Sequence, residues 1–289
     1  MYVLQAIIAL AALANLSLAS PIELVGRRTF SVSQVPNGKR IRNGPLAMSK
    51  TYAKYAVEAP TDIKVAAANA AASQQGEVSN APEAHDQSYL CPVTVGGQTL
   101  NLDFDTGSAD LSINTVQPTQ QITFFDAVKS TLAKPLFTAH LKKGAPGSYD
   151  FGYIDTSKYT GSITYADVDT SNGLWEFAAT GYAVGSGRTV TTSYDSIADT
   201  GTSLLYLPTE IVAAYYGQVN GAMYDGSQGG YTIPCDSNLP NFVAIIGGSR
   251  HTVPGSYINY APIGNELLWR QFVVFDGSDS PRVGFAKQA

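Results

Sequence analysis

The feature that most constrains this chain is an Asp-Thr-Gly-[Ser/Thr] tetrapeptide that occurs twice. The first copy runs from Asp105 to Ser108 and the second from Asp199 to Thr202, and each follows a mostly apolar run. A single Asp-x-Gly is ordinary turn chemistry, because aspartate bonds its own backbone and glycine accepts a positive φ. Two matched copies, each at the end of a predicted strand, favour a paired site over two unrelated turns.

Paired carboxylates suit acid–base chemistry. Two carboxyl groups held close together cannot both ionise readily, so Asp105 and Asp199 would share one proton. The ionised member can take a proton from water while the other donates to a substrate carbonyl. The glycine of each copy lets backbone amides approach the carboxylate, and the Ser or Thr hydroxyl that follows can orient it.

Charge is distributed unevenly along the chain. Residues 1–20 carry no charged side chain, residues 21–69 carry a net charge of +5, and the remainder carries −10. A basic leader on an acidic body suggests two parts that attract each other, with a solvated basic tail as the alternative. The total of −5 gives no footprint for nucleic acid. The apolar run 3–14, followed by small residues at 17–19, fits a secretory signal and is too short to span a bilayer.

The hydrophobic pattern predicts a mostly β fold with a few short helices. Alternating runs on either side of Gly96-Gly97 predict a hairpin over 89–104, and Gly247-Gly248 predicts a second hairpin turn. Residues 60–88 are rich in Ala, Ser, Gln and Asn with little periodicity, so they are interpreted as a linker. The other predicted strands are 149–154, 162–167, 174–184, 271–276 and 282–286, and the predicted helices are 124–132 and 209–218.

The sequence resembles the fungal pepsin-like aspartic endopeptidases, the family of penicillopepsin and aspergillopepsin. Residues 102–111 resemble the first catalytic motif of that family, and residues 197–205 resemble the second. Shorter matches lie at 149–162, 253–256 and 273–276, so the resemblance covers nearly all of residues 89–289.

The resemblance implies a mostly β, bilobal protease in which Asp105 and Asp199 face each other across a peptide-binding cleft. Thr106 and Thr200 would bind across the lobe interface. The implied supporting residues of the dyad are Thr106, Gly107, Ser108, Thr200, Gly201 and Thr202. The resemblance also implies polypeptide substrates, an extracellular location, a monomer, no metal or organic cofactor, and no nucleic-acid or membrane partner.

The resemblance gives the basic leader the role of a propeptide that covers the cleft until acid releases it. We expect Lys54 and its neighbour Tyr55 to lie near the two aspartates. The expected organisation is a signal peptide at 1–20, a basic propeptide at 21–70, a linker or mature N-terminus at 71–88 and a peptidase domain at 89–289. Within the peptidase domain, residues 89–133 are expected to form a remnant N-terminal lobe with the interlobe region, and residues 134–289 the C-terminal lobe.

Parts of the family pattern are missing. Asp105 and Asp199 are only 94 residues apart, whereas a domain of ordinary size needs about 100–150 residues. Residues 113–118 resemble a segment near the end of the first lobe, yet they follow the first motif directly, so the N-terminal lobe is expected to be truncated and to lack the flap with its tyrosine. A second gap near residues 265–266 removes the usual partner of Cys235, and both Cys91 and Cys235 are expected as free thiols.

Three functional hypotheses follow. The survival of both Asp-Thr-Gly copies favours an active secreted acid endopeptidase. The missing first lobe favours a relative that has lost catalysis and binds peptides. The clean joins between well-matched segments favour a sequence from which exons of an active protease gene were omitted.

Overall fold

The computed structural model describes residues 27–33, 35–36, 43–74, 89–95, 98–107, 123–142, 147–202, 204–258 and 271–289. Within these ranges strands predominate. The helices are α1 (Gly44–Lys54), α2 (Thr61–Gln74), α3 (Phe124–Val128), α4 (Thr209–Tyr216) and α5 (Gly255–Ile258), with single 3₁₀ turns at Lys129–Thr131 and Thr156–Lys158. The strands are β1 (Phe30–Ser33), β2 (Val35–Pro36), β3 (Tyr89–Val95), β4 (Gln98–Asp103), β5 (Leu136–His140), β6 (Ser148–Phe151), β7 (Tyr159–Asp167), β8 (Glu176–Val184), β9 (Val190–Ile197), β10 (Met223–Asp225), β11 (Gly230–Thr232), β12 (Phe242–Ile246), β13 (Ser249–Val253), β14 (Gln271–Asp276) and β15 (Arg282–Gln288).

Two antiparallel sheets form most of the body. The larger has six strands in the order β1-β6-β5-β14-β15-β7, and the smaller has four in the order β13-β12-β8-β9. In the smaller sheet β12 and β13 are joined at Gly247-Gly248, whose φ values of 57° and 77° require glycine. A separate hairpin of β3 and β4 carries the chain to the first Asp-Thr-Gly loop, and β2 pairs with β3.

Aromatic side chains fill the core beneath the larger sheet. Phe137 of β5 stacks on Phe275 of β14 with ring centroids 4.5 Å apart, and Trp175 packs edge-on against both rings. Phe151 of β6 continues the stack, since it lies 5.5 Å from Phe137. These rings are placed by strands far apart in sequence, so the core closes only when the sheet has assembled.

The leader contributes a strand to this sheet. β1 pairs antiparallel with β6, so that Phe30 faces Phe151 and their rings stack at 4.7 Å. Below that pair the carboxylate of Asp150 is fully buried, and it accepts hydrogen bonds from Ser31 Oγ at 2.6 Å and from Lys158 Nζ at 2.6 Å. A buried carboxylate needs such partners to offset lost hydration. Ser31 therefore links the leader to the interior of the body.

The linker interpretation of residues 60–88 is wrong over Thr61–Gln74, which form helix α2; residues 75–88 lie outside the described part of the chain. Alanine has the highest intrinsic helix propensity. A run of alanines shows little contrast between apolar and polar positions, so this helix has almost no amphipathic period in the sequence.

The predicted hairpins, helices and later strands are confirmed with small shifts at their ends. The predicted strand at 149–154 ends at Phe151, because Gly152 turns the chain with a φ of 84°. Strands β1, β2, β5, β10 and β11 were not predicted. Cys91 is buried in β3 and Cys235 is exposed, and the two are not joined. No helix in the described ranges has the length and apolar character needed to cross a membrane.

Candidate active site

Each Asp-Thr-Gly copy forms a loop just beyond the end of a strand. Asp105 follows β4 and Asp199 follows β9, and the two loops meet although they are 94 residues apart. Their carboxyl groups hydrogen-bond each other and are largely buried, with side-chain exposures of 16% for Asp105 and 9% for Asp199. The structure thus brings both predicted carboxylates to one point.

The threonines brace the two loops reciprocally. The amide of Thr106 donates to Thr200 Oγ1 at 3.1 Å, and the amide of Thr200 donates to Thr106 Oγ1 at 2.9 Å. Each hydroxyl then donates onward into the other loop, from Thr106 to the carbonyl of Ala198 at 2.7 Å and from Thr200 to the carbonyl of Phe104 at 2.6 Å. Four hydrogen bonds therefore hold the loops in one relative position.

Glycine is required in both loops for lack of space. The amide of Gly107 donates to Asp105 Oδ1 at 2.9 Å, and the amide of Gly201 donates to Asp199 Oδ1 at 2.8 Å. A Cβ atom on Gly107 would overlap the Asp199 carboxylate, and one on Gly201 would overlap the Asp105 carboxylate. The absence of a side chain lets each backbone amide reach its own carboxylate while the second carboxylate lies against the same loop.

The first loop rests on an aromatic cluster that the sequence analysis did not predict. The ring of Phe104 packs edge-on against Phe124 at 5.3 Å and tilted against Tyr149 at 5.5 Å. The Tyr149 hydroxyl also donates to the carbonyl of Phe104 at 2.9 Å. The sequence signal that could have predicted this cluster is the aromatic residue just before Asp105 together with the aromatic residues within 149–151.

The two carboxyl groups have unequal pKa values. Burial, together with the nearby charge of Asp199, raises the pKa of Asp105 above its ordinary value of 3.8. Burial also disfavours ionisation of Asp199, but the hydrogen bond from Asp105 and the charge of Lys54 outweigh it and lower the pKa of Asp199 to about 2. While Lys54 is present, the negative charge therefore resides on Asp199 and the shared proton on Asp105.

The end of helix α1 places Lys54 and Tyr55 against this pair. The Lys54 ammonium donates to Asp105 Oδ1 at 2.8 Å and to the two Asp199 oxygens at 2.9 and 2.8 Å. The Tyr55 hydroxyl donates to Asp199 Oδ2 at 2.7 Å, and burial with the adjacent carboxylate raises the pKa of that phenol. Thr202 completes the group, since Lys54 Nζ lies 3.4 Å from its hydroxyl. Ser108, the other predicted supporting residue, lies outside the described residues.

A cavity of about 670 Å³ opens beside Asp199 and reaches residues of both sheets. Its lining includes Ala179 and Ala244 of the smaller sheet and Phe275 of the larger, all nearly fully buried. Tyr52 of α1 also lines it, so the leader covers part of this space. The cavity therefore has two acidic groups at its edge, and basic and aromatic side chains of the leader lie over them.

The chain matches the profile of the eukaryotic aspartyl protease family over residues 111–266. It is 39% identical to aspergillopepsin-1 of Aspergillus pseudoglaucus, with 90% of this chain and 93% of that protein covered. It is 37% identical to penicillopepsin-2 of Penicillium janthinellum, with 98% of each covered. The crystal structure of the aspartic proteinase from Irpex lacteus shares the fold with a TM-score of 0.51 at 22% identity, over 70% of this chain and 77% of that one.

The aspergillopepsin alignment also measures what this chain lacks. The alignment spans 369 positions. The aligned 90% of this 289-residue chain accounts for about 260 of them, so about 109 positions of the relative have no counterpart here. The mostly β architecture and the relatives, which are aspartic endopeptidases, agree with the resemblance seen in the sequence. This chain belongs to the eukaryotic aspartyl protease family, with a pepsin-like fold.

Proposed function

We propose that this protein is a secreted acid endopeptidase, made as a zymogen, in which Asp105 and Asp199 form the catalytic dyad. The observation that carries the proposal is the pair of hydrogen-bonded carboxylates, each held by the glycine amide of its own loop. Catalytic groups must be held within a fraction of an ångström of productive geometry, and the Thr106–Thr200 brace supplies that rigidity.

The proposed reaction is hydrolysis by water without a covalent intermediate on the protein. Asp199, the more acidic carboxyl in the leader-bound chain, is proposed to stay the ionised member once the leader has left. It takes a proton from a water molecule whose oxygen bonds to the peptide carbonyl carbon, while Asp105 gives its proton to the carbonyl oxygen. Collapse of the resulting tetrahedral diol breaks the carbon–nitrogen bond. The leaving nitrogen receives the proton that Asp199 had taken, and the diol returns a proton to Asp105. The dyad therefore ends the cycle as it began.

In the same proposal residues 1–20 are a signal peptide, and residues 21–70 are a propeptide joined to the 89–289 peptidase domain through 71–88. The Lys54 ammonium occupies the space between the carboxylates that water and substrate would need. Protonation of the dyad in acid removes the charges that hold this ammonium, so the propeptide is expected to leave at low pH.

The test is secretion of the full chain, acidification to about pH 3–4, where a dyad can hold one proton, and an assay of denatured haemoglobin cleavage with and without pepstatin. We expect pepstatin-sensitive cleavage that Asp105→Asn abolishes and that Asp126→Asn leaves intact, because Asp126 is an exposed carboxylate paired with Lys129. Cleavage that survives both Asp105→Asn and Asp199→Asn would refute the proposed dyad.

A second candidate function is a folded, inactive peptide-binding relative, and the missing positions in the alignment favour it. Soluble, folded protein that binds pepstatin but cleaves nothing would support this candidate over the first. The third hypothesis, omission of exons, is tested by sequencing the transcript, since a message that encodes the same 289 residues would rule it out.

A further inference from the structure

Helix α2 packs against the body at the hairpin formed by β10 and β11. Its buried residues Ile63, Ala66 and Ala67 expose only 7%, 2% and 7% of their surface. They lie three and four residues apart and so form one face of the helix. Helix α1 packs on α2 as well, and the body contacts α2 at the hairpin turn.

That turn is shaped for a small helical side chain. Gly229 has a φ of 65°, which favours glycine, and a Cβ atom placed on it would lie 3.4 Å from the Ala66 Cβ and 3.5 Å from the Ile63 Cα. The helix and the turn are therefore separated at this point by about the width of one methyl group. A longer side chain at position 66 would force the two elements apart.

A polar contact fixes the start of the helix on the same hairpin. The Tyr224 hydroxyl of β10 donates to the carboxylate of Asp62, which lies in the first turn of α2. That hydrogen bond lowers the pKa of Asp62 and raises the pKa of Tyr224 to about 12. An aspartate in the first turn is also favoured by the helix dipole, so the same residue supports both the helix and its docking.

This contact is separate from the candidate active site. Of the described residues that line the cavity beside Asp199, none belongs to β10, β11 or α2. The hairpin contact involves neither Asp105 nor Asp199, whereas at the end of α1 Lys54 contacts both acids and Tyr55 contacts Asp199. Besides the β1–β6 pairing, the leader thus reaches the body at the dyad and, 8 residues further along the chain, at Asp62.

We infer that the β10–β11 hairpin is an exosite, a binding surface outside the cleft that accepts a helix with small residues at positions i, i+3 and i+4 and an aspartate in its first turn. Its occupant is α2, and it retains the leader independently of the contact between Lys54 and the dyad. This inference rests on the proposed role of the leader as a releasable propeptide. Opening the Lys54 contact is then insufficient for rapid release.

The experiment uses the full chain with a recognition sequence for an added site-specific protease in place of residues 77–82. After the cut, the dissociation rate of the leader is measured at neutral pH by size exclusion. Ala66→Asp buries a carboxylate against the hairpin turn, so we expect release at least about tenfold faster. Val65→Asp places the same charge on the neighbouring residue, which is 51% exposed, and it is expected to leave the rate unchanged.

Independence is tested by repeating both substitutions with Lys54→Ala. Sites without shared partners have additive free energies, so Ala66→Asp must accelerate release by the same factor in both backgrounds. Tyr224→Phe, which removes only the hydroxyl, should act in the same direction with a smaller factor. The inference is overturned if Ala66→Asp behaves as Val65→Asp does, or if its effect vanishes once Lys54 is removed. The rates need no peptidase activity, so a chain that fails the proteolysis assay can still pass this test.

Discussion

Thr106 and Thr200 bind each other symmetrically, each accepting the other's backbone amide on its hydroxyl, at 3.1 and 2.9 Å. Because each hydroxyl also donates to a carbonyl of the opposite loop, neither loop can move without breaking four hydrogen bonds. The distance between the two carboxylates is therefore set by side chains one residue away from them.

The brace predicts a loss of stability and activity together. Thr200→Val keeps the shape of the side chain but removes the hydroxyl, which leaves the Thr106 amide and the Phe104 carbonyl without that partner. We expect the free energy of unfolding to fall by about 1–3 kcal/mol, measured by urea denaturation, with cleavage reduced further. Thr200→Ser, which keeps the hydroxyl, should retain most of both. Equal stability of the Val and Ser variants would contradict the brace.

The Lys54 contact predicts the direction of the acid response. The pKa of Asp199 is lowered from 3.8 to about 2, so its contribution to holding the leader is present above about pH 4 and is lost as the pH falls toward 2. Lys54 also lowers the pKa of Asp105, although burial and the charge of Asp199 keep that pKa above 3.8, so protonation of Asp105 on acidification weakens the same contact. Lys54→Ala removes the charge attraction at every pH, so half-release of the leader should occur at a higher pH.

Leader release is followed by size exclusion of the cut chain between pH 2 and 6. Lys64→Ala is the matched control, because Lys64 is another leader lysine and forms its ion pair among the described residues with exposed Glu58. An unchanged release midpoint in Lys54→Ala, or an equal shift in Lys64→Ala, would refute the electrostatic contact.

The cavity beside Asp199 predicts that some enlargements of core residues stabilise the fold. Ala244 lines the cavity, so Ala244→Leu can extend into open space and should raise the free energy of unfolding by about 1 kcal/mol. Ala183 is equally buried but does not line that space, so Ala183→Leu should destabilise by about 1–3 kcal/mol. Thermal denaturation distinguishes the two signs, and destabilisation by both would mean that the space is filled in solution.

The turn after helix α1 predicts a stabilising glycine. Ala56 has a φ of 52°, a left-handed conformation that costs a residue with a Cβ about 1–2 kcal/mol. Ala56→Gly should therefore stabilise the leader-bound chain by up to about 1 kcal/mol. Ala53→Gly, inside the helix, should instead destabilise it by about the same amount. In urea denaturation the unfolding midpoint should rise for Ala56→Gly and fall for Ala53→Gly, relative to the native chain.

The sequence alone determined the elements whose signals act between neighbours. Alternation around Gly96-Gly97 predicted the β3–β4 hairpin, the turn at Gly247-Gly248 predicted the join of β12 and β13, and the repeated Asp-Thr-Gly predicted two equivalent loops. Each depends on turn chemistry or side-chain period within a few residues, which any single segment displays.

Tertiary structure decided which of these segments meet. Ser31 and Asp150 are 119 residues apart, and nothing within 30–33 distinguishes a strand that joins the body from a solvated basic tail. The docking of α2 depends in the same way on Gly229 and Tyr224. The alanine-rich sequence of the helix gives no indication that these two residues are its partners. Sheet edges and small-residue contacts stabilise the fold only when the partner is present, so the position of the leader is a property of the assembled chain. The pairing of Asp105 with Asp199, in contrast, was predicted from the repeated motif in the sequence.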